Sequence, residues 1–329
     1  MSTNATASTS APSGAEARVR DGVATPAAPA APAPPTVPAA PVGGPRPVDR
    51  LLALYALVAG AALLFPGRPA AWPLLASLHA ALALAGLRSG PMRRGLAAVA
   101  RRWPRGARVA ADGYPLLLVP ALYTELEALN LAVWGGRTFD ALVMGWEAAL
   151  FGGHPSRDWA AAAPVPLLSE VLHVSYLSYY LIIYLPPLYL YATGRLEETR
   201  RLIFVLMLTF VAHYVFFIYF PVAGPRYGFP PPAGGIEQGF FYGLAHRVLE
   251  AGSSRGAAFP SSHVGITLAA TLCLLRPLPR VAPLVAVLTL GLTVGAVYGG
   301  FHYAVDALAG LLLGGACVAT ASRLRAALA

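Results

Sequence analysis

Residues 202–221 read LIFVLMLTFVAHYVFFIYFP, with no Asp, Glu, Lys or Arg among them. A helix needs about 20 predominantly apolar residues to cross the hydrocarbon core of a bilayer, so this stretch is expected to be a transmembrane helix. The rest of the chain has the same character: 57% of its 329 residues are hydrophobic, 12% are charged and the mean hydropathy is +0.59. Soluble domains carry about a quarter charged residues, so the composition argues against a water-soluble globule.

Further apolar runs alternate with short polar breaks from Leu51 onward, and few of them alternate like a strand. The pattern predicts an all-α, polytopic membrane bundle of six to eight transmembrane helices, with eight preferred. Phe139–Phe151 is apolar but too short to span, and it is expected to lie in the membrane interface. The eight candidate spans are Leu51–Phe65, Trp72–Leu87, Pro115–Trp134, Leu167–Tyr191, Leu202–Pro221, His263–Leu275, Val281–Val297 and Tyr303–Ala319.

Residues 1–47 are rich in Ala and Pro and are expected to form a disordered cytoplasmic tail. Residues 48–135 are expected to form N-terminal membrane helices joined by an Arg-rich cytoplasmic loop, Arg88–Arg108. All 24 basic residues are Arg, the net charge is +9, and 18 of the Arg fall on one side of an eight-span topology. The positive-inside bias then places both termini in the cytoplasm, and the loops 222–259 and 298–301 on the outer face of what is expected to be a bacterial inner membrane. The Arg-rich loop is expected to hold anionic lipids, and no nucleic-acid partner is expected.

Three polar interruptions at span boundaries fall on that outer face, at residues 221–227, 258–263 and 298–306. His302 and Asp306 are four residues apart and would share a helix face, so the carboxylate could fix the tautomer of the imidazole. A structural pair within a helix and a pair of metal ligands are the alternatives, although no further ligand stands at a suitable spacing.

Pro260-Ser261-Ser262-His263 resembles a helix start, at which Ser261 or Ser262 caps the helix and free N–H groups attract an anion beside His263. Arg226 adds a forked guanidinium that suits phosphate. Taken singly, the first pattern is also explained by capping alone, and Arg226 by a loop charge or a lipid headgroup contact. Together, an anion cradle, a fixed nucleophilic His and a second His as proton carrier indicate phosphoryl transfer.

These stretches resemble the three signature motifs of the type 2 phosphatidic acid phosphatase superfamily. Pro260–His263 matches the P-S-x-H motif, and His302-x-x-x-Asp306 matches the end of the third motif. The resemblance covers about residues 140–320 and implies a catalytic membrane domain, set here at 136–322, with metal-independent chemistry and a phosphohistidine intermediate. It implies that His302 is the nucleophile, that Asp306 orients it and that His263 protonates the leaving oxygen. No cofactor and no metal site are expected.

The departures from the family pattern concern the cations. The usual first motif, K-x6-R-P, contains a Lys, and this chain has none; Gly295 and Ala296 replace the Ser-Arg of the usual third motif. Because two phosphate-binding cations of the phosphatase branch are missing, the chain looks more like the inositol phosphorylceramide synthases and their bacterial relatives. The stretch FGGHPS at 151–156 and the tyrosine-rich fourth span also resemble that branch. Phosphate charge is then expected to rest on Arg226, Arg255 and helix-end N–H groups.

Four further side chains are expected to wall a substrate cavity: Glu170, Tyr176, Tyr180 and His213. Tyr176 and Tyr180 would lie on one helical face, and an ionisable group within a span, such as His213, is a functional candidate. An aromatic interface belt or hydrogen bonding between helices explains the same residues structurally.

The resemblance implies a lipid phosphotransferase that moves a phospho-headgroup from a phospholipid, such as phosphatidylinositol, to a lipid alcohol such as ceramide. An alternative with the same catalytic residues is a lipid phosphatase, which would use water as acceptor and act on phosphatidic acid or a polyprenyl diphosphate. A non-enzymatic scaffold or channel is the third alternative, but it gives no reason for His263, His302 and Asp306 to meet.

Overall fold

The computed structural model describes residues 45–87, 101–231 and 234–329. Nearly all of the predicted tail and most of the predicted Arg-rich loop lie outside the described residues. Short 3₁₀ turns occupy 62–64, 225–227 and 236–238, and the only strand-like pairing in the described part of the chain is one isolated bridge. The α-helices of the described residues are α1 (Pro47–Ala61), α2 (Trp72–Leu87), α3 (Pro104–Thr124), α4 (Leu126–Trp134), α5 (Asp140–Phe151), α6 (Pro155–Ala162), α7 (Pro166–Ala192), α8 (Leu196–Tyr219), α9 (Phe240–Gly252), α10 (Ser262–Leu274), α11 (Ala282–Tyr298) and α12 (Ala304–Ala327).

The predicted all-α membrane fold is confirmed, and each of the eight candidate spans coincides with helix. Among the described residues, four helices are long and apolar enough to cross a membrane: α1 with its 3₁₀ extension, α7, α8 and α12. The pair α3–α4 makes a fifth span if it is counted as one helix bent by 44°. Helices α2, α10 and α11 are apolar but shorter; the 13 residues of α10 rise about 20 Å, against a hydrocarbon core of about 30 Å. The chain is an integral membrane protein.

Helix α8 lies at the centre of the bundle and contacts α1, α3, α4, α7, α10 and α12. From Leu202 onward it is predominantly apolar on all sides, which is typical of a helix that is surrounded by others. Leu206, Met207, Phe217 and Ile218 are fully buried along its length. The outer helices, in contrast, expose large apolar side chains such as Leu312, as expected for surfaces that face lipid.

Glycines allow α10 and α12 to pack with their backbones in contact. A Cβ on Gly265 would lie 2.8 Å from the carbonyl oxygen of Gly310, a Cβ on Gly310 would collide with the carbonyl of Ser261, and one on Gly314 would collide with that of Gly265. Small residues at helix interfaces permit such close approach in membrane proteins. The packing matters for the site because His263 opens α10 and His302 immediately precedes α12.

The stretch expected to lie in the interface, Phe139–Phe151, forms α5, which packs against α12. Leu142 and Leu150 are exposed, whereas Val143 and Glu147 are fully buried. The helix therefore turns a carboxylate inward and apolar side chains outward, the opposite of a helix in a soluble protein.

Candidate active site

Two of the three polar interruptions are joined by backbone pairing. The N–H of Val222 donates to the carbonyl of Gly256 at 3.1 Å, and the N–H of Ala258 donates to the carbonyl of Val222 at 2.9 Å. This pairing forms an isolated parallel bridge between Val222 and Ala257. The chain segment that carries Arg226 is thereby held against the segment that leads into α10.

The serines of the second interruption hold the start of α10. The Oγ of Ser261 accepts the N–H of Val264 at 3.5 Å, so this residue caps the helix. The N–H of Ser261 donates to the carbonyl of Asp306 at 2.9 Å, which ties the start of α10 to the first turn of α12. Ser261 and Ser262 are buried. Neither serine lines the cavity described below, and the phosphate contacts expected of them stay a prediction.

His302 lies in the turn between α11 and α12, one residue ahead of the helix cap. The expectation that His302 and Asp306 share a helix face is wrong, because Tyr303 is the N-cap and α12 begins only at Ala304. The turn nevertheless brings the two side chains together, with His302 Nδ1 3.6 Å from Asp306 Oδ2. The same carboxylate oxygen accepts the N–H of Tyr303 at 2.8 Å.

A backbone carbonyl is the closer partner of the His302 ring. Nδ1 lies 2.9 Å from the carbonyl oxygen of Ala258. Because a carbonyl can only accept, this bond assigns the proton to Nδ1 and leaves a lone pair on Nε2. Ala258 therefore shares the orienting role that the sequence assigned to Asp306 alone, and the tautomer suits a nucleophile.

His263 is held by two tyrosines of α7. The rings of Tyr176 and His263 stack with centroids 4.9 Å apart and planes 22° apart, and the Tyr176 hydroxyl lies 3.3 Å from Nε2 of the imidazole. Tyr179 packs against the same imidazole, with a centroid distance of 4.2 Å. These contacts leave the His263 ring little freedom to rotate.

A cavity of about 40 Å³ has room for a few water-sized groups, such as the oxygens of a phosphate. The centroids of the His263 and His302 rings are 5.8 Å apart across it. The cavity thus brings together both imidazoles, a guanidinium and the Tyr176 hydroxyl. Its lining residues are Tyr123, Tyr176, Ala223, Arg226, Tyr227, Leu249, Ser253, Ser254, Ala257, Ala258, His263, Phe301 and His302.

Arg226 is the only Arg that lines this cavity among the described residues. Its Nη2 donates to Ser253 Oγ at 2.6 Å and to the Tyr227 hydroxyl at 2.7 Å, and its Cζ lies 4.7 Å from the Tyr227 ring centroid. Arg255 instead lines a second cavity of about 60 Å³ together with Arg137. The Arg255 guanidinium carbon nevertheless lies 5.5 Å from the ring centroid of Tyr227, which lines the first cavity, and the phosphate role expected of Arg255 stays a prediction.

Glu170 caps α9 instead of walling the cavity. Both of its carboxylate oxygens lie 3.0 Å from the N–H of Phe241, and Oε1 also accepts the N–H of Tyr242 at 3.1 Å. A Cβ on Gly239 would collide with Oε1 of this carboxylate, so a larger residue at that position would displace the Glu170 side chain. The unsatisfied N–H groups and the positive end of the helix dipole explain why an acidic residue lies here.

Tyr180 and His213 do not line the cavity either. Tyr180 is 43% exposed and packs against Tyr179. His213 is fully buried, with Nδ1 2.7 Å from the carbonyl oxygen of Thr209, and a Cβ on Gly265 would lie 2.6 Å from its ring. Tyr176 is therefore the one of the four expected cavity residues that lines the site.

Two carboxylates on α5 support the site and were missed by the sequence analysis. Asp140 accepts the N–H groups of Ala223 and Gly224 at 2.9 and 2.8 Å. Glu147 accepts the N–H of Ala304, the first residue of α12, at 2.8 Å. Two acidic residues seven apart in an otherwise apolar helix are a signal that could have been noticed, because that spacing places them on one face.

A second pair of histidines lies behind the Phe301 wall of the cavity. The Phe301 ring centroid is 5.6 Å from that of His173 and 5.2 Å from that of His246. Burial, together with smaller contributions from the nearby His173 and Arg226, lowers the pKa of His246 to about 4. The His246 ring is therefore neutral near pH 7 and acts as packing for the wall.

The sequence model of one family, described as PAP2 superfamily, matches residues 141–320. The matched part is more than half of the chain, and it contains both imidazoles of the cavity, Asp306 and Arg226. No curated protein and no solved structure matches the chain.

Proposed function

The chain belongs to the PAP2 superfamily, and on that premise we propose that it transfers the phospho-headgroup of a membrane phospholipid to a lipid alcohol through a phosphohistidine on His302. The observation that carries the proposal is the single cavity lined by His263, His302 and Arg226. Family membership supports phosphatase or phosphotransferase chemistry on lipids at the coarser level. The catalytic membrane domain is proposed at 136–322, following the N-terminal helices of 48–135.

In the first step, Nε2 of His302 attacks the phosphorus of the donor. The P–N bond forms as the P–O bond to diacylglycerol breaks, and a protonated His263 gives its proton to the departing alkoxide. Nδ1 of His302 keeps its proton on the Ala258 carbonyl, so the ring becomes cationic beside Asp306. Arg226 neutralises the phosphoryl oxygens.

In the second step, His263 takes the proton of an acceptor hydroxyl, and the acceptor oxygen attacks the phosphohistidine. The P–N bond breaks and the lone pair returns to Nε2 of His302. The net reaction exchanges one alcohol for another on phosphorus, with diacylglycerol as the first product. General acid–base help of this kind contributes about 10²–10⁴ in rate.

The absence of two cationic side chains that the phosphatase branch carries favours transfer over hydrolysis. Gly295 and Ala296 stand where the phosphatase branch places Ser-Arg, and both are buried in α11. A Cβ on Gly295 would already lie 2.6 Å from the carbonyl oxygen of Leu172, which leaves no space for a longer side chain. This pattern supports the inositol phosphorylceramide synthase-like branch, with phosphatidylinositol as donor and a ceramide-like alcohol as acceptor.

The proposed setting is a bacterial inner membrane with both termini in the cytoplasm and the cavity at the outer face. The positive-inside distribution of Arg supports this orientation. Anionic lipids of the inner leaflet are the proposed partners of the Arg-rich loop.

The test uses the purified full-length chain in detergent with headgroup-labelled phosphatidylinositol, with and without ceramide. Transfer predicts labelled ceramide product and little release of water-soluble inositol phosphate when ceramide is omitted. Release at an undiminished rate without ceramide would assign hydrolysis instead, with water as acceptor. His302→Ala should abolish diacylglycerol release, whereas the control change Asp158→Asn, at a side chain 48% exposed on α6, should not; full activity of His302→Ala would overturn the proposal.

A further inference from the structure

We propose that Asp140 and Glu147 of α5 are positioning residues that place the nucleophile of the reaction, although neither lines the cavity. The inference rests on the proposed function, because it takes His302 as the nucleophile. In this proposal, α5 holds the turn before α12 in a fixed position relative to the segment that carries Arg226.

Three carboxylates converge on the turn that carries His302. Asp306 accepts the N–H of Tyr303 at 2.8 Å, and Glu147 accepts the N–H of Ala304 at 2.8 Å. The hydroxyl of Tyr303 donates to Asp140 at 3.2 Å. Hydrogen bonds from N–H and O–H groups to ionised carboxylates are stronger than neutral ones, and more so in a dry interior. The two residues that follow the nucleophile are therefore fixed from three directions.

Asp140 links the nucleophile turn to the phosphate-binding segment. Its Oδ2 accepts the N–H of Ala223, and its Oδ1 accepts both the N–H of Gly224 and the hydroxyl of Tyr303. Ala223 lines the cavity, and Arg226 follows three residues later. Displacement of this carboxylate should therefore disturb both substrate binding and the approach of the nucleophile.

Glu147 contacts the nucleophile side only. It is fully buried, and its Oε1 accepts the N–H of Ala304 at 2.8 Å and that of Ser156 at 3.4 Å. Its Oε2 lies 3.0 Å from Ser156 Oγ and 3.1 Å from His154 Nδ1. These contacts join the start of α12 to the start of α6, while the Arg226 segment is not touched.

The two carboxylates should respond differently to conversion into amides. Each oxygen of Asp140 accepts a backbone N–H, and a backbone N–H cannot reverse its direction, so the NH₂ of an Asn must face a donor whichever way it turns. In Glu147 both backbone donors meet Oε1, whereas Oε2 meets a hydroxyl and an imidazole that can each become acceptors. Gln can therefore replace Glu147, but Asn cannot replace Asp140.

The experiment measures diacylglycerol release from phosphatidylinositol, or from phosphatidate if that is the donor turned over, by the detergent-purified full chain. A displacement of about 1 Å at a reacting group can cost about 100-fold in rate, so Glu147→Ala should lower kcat by about 10- to 100-fold with KM unchanged. Asp140→Asn should lower kcat and raise KM together, each by about tenfold. Glu147→Gln should restore kcat to within about threefold of the unsubstituted chain. Asp158→Asn, at a side chain 48% exposed on α6, is the matched control and should change neither constant.

Tyr303→Phe keeps the test open if the α5 variants fail to fold. It removes only the hydroxyl bond to Asp140. The loss of one hydrogen bond should lower kcat by about fivefold and destabilise the protein by only about 1 kcal/mol, so the variant should still fold. A normal kcat in folded Glu147→Ala or in Tyr303→Phe would overturn the inference, as would an Asp140→Asn variant as active as Glu147→Gln. An active His302→Ala variant would instead overturn the proposed function, so the two failures are distinguishable.

Discussion

Replacing Asp306 with Asn tests whether the buried carboxylate stabilises charge on the nucleophile. As Nε2 of His302 bonds to phosphorus, the imidazole becomes cationic 3.6 Å from Asp306 Oδ2. At that distance and an effective dielectric constant of about 20, the attraction is about 4.6 kcal/mol. Only part of the charge has formed in the transition state, so we expect about half of this value to be lost, or a rate decrease of about 50-fold.

The Asp306→Asn substitution removes the negative charge while preserving the shape of the side chain. Asn can still accept the N–H of Tyr303 through its carbonyl oxygen, and the Ala258 carbonyl still holds Nδ1 of His302. The fold and the ring orientation are therefore expected to survive. The assay is the pre-steady-state burst of diacylglycerol release after rapid mixing with the phospholipid donor. A burst rate within about threefold of the unsubstituted chain would refute the charge argument and leave Asp306 as a helix cap only.

Three further substitutions address the rest of the site. Arg226→Lys keeps the charge but loses the forked geometry, so KM should rise by about tenfold with a smaller change in kcat in steady-state assays. Tyr176→Phe keeps the ring stacked on His263 but removes the hydroxyl 3.3 Å from Nε2, and kcat should fall by about fivefold, the value of one hydrogen bond. Glu170→Ala removes the cap of α9 and should destabilise the protein by about 1 kcal/mol in a thermal melt, with KM unchanged. A raised KM would instead indicate that Glu170 contacts the substrate.

The helical architecture was predictable because hydropathy and helix formation are local properties of the chain. Each of the eight apolar runs is helical in the structure, and Ser261 caps α10 as its sequence context predicts. The bend between α3 and α4 and the shortness of α10 were less predictable, because both depend on neighbouring helices. The gathering of His263, His302 and Arg226 was predictable in outline, since topology places their three segments at one end of the bundle.

The partners of individual side chains were not predictable from spacing. A separation of four residues suggested one helix face for His302 and Asp306, but the helix starts between them. Glu170 was expected to face substrate, yet its carboxylate accepts backbone N–H groups at the start of α9, more than sixty residues away in the chain. Buried polar groups pair with whatever donor tertiary packing brings near, and the sequence does not encode that donor locally.

Backbone groups do part of the work that a motif search assigns to side chains. The group nearest to Nδ1 of the nucleophile is the carbonyl of Ala258, which any residue at that position could supply. Its place depends on the pairing with Val222 and on Gly224, whose φ of +102° few other residues adopt and whose added Cβ would lie 3.2 Å from that of Ala258. Asp140 holds the same segment through two backbone N–H groups. The geometry of the nucleophile is therefore set by the docking of three chain segments, and residues without any reactive group are as necessary for the proposed reaction as the imidazoles.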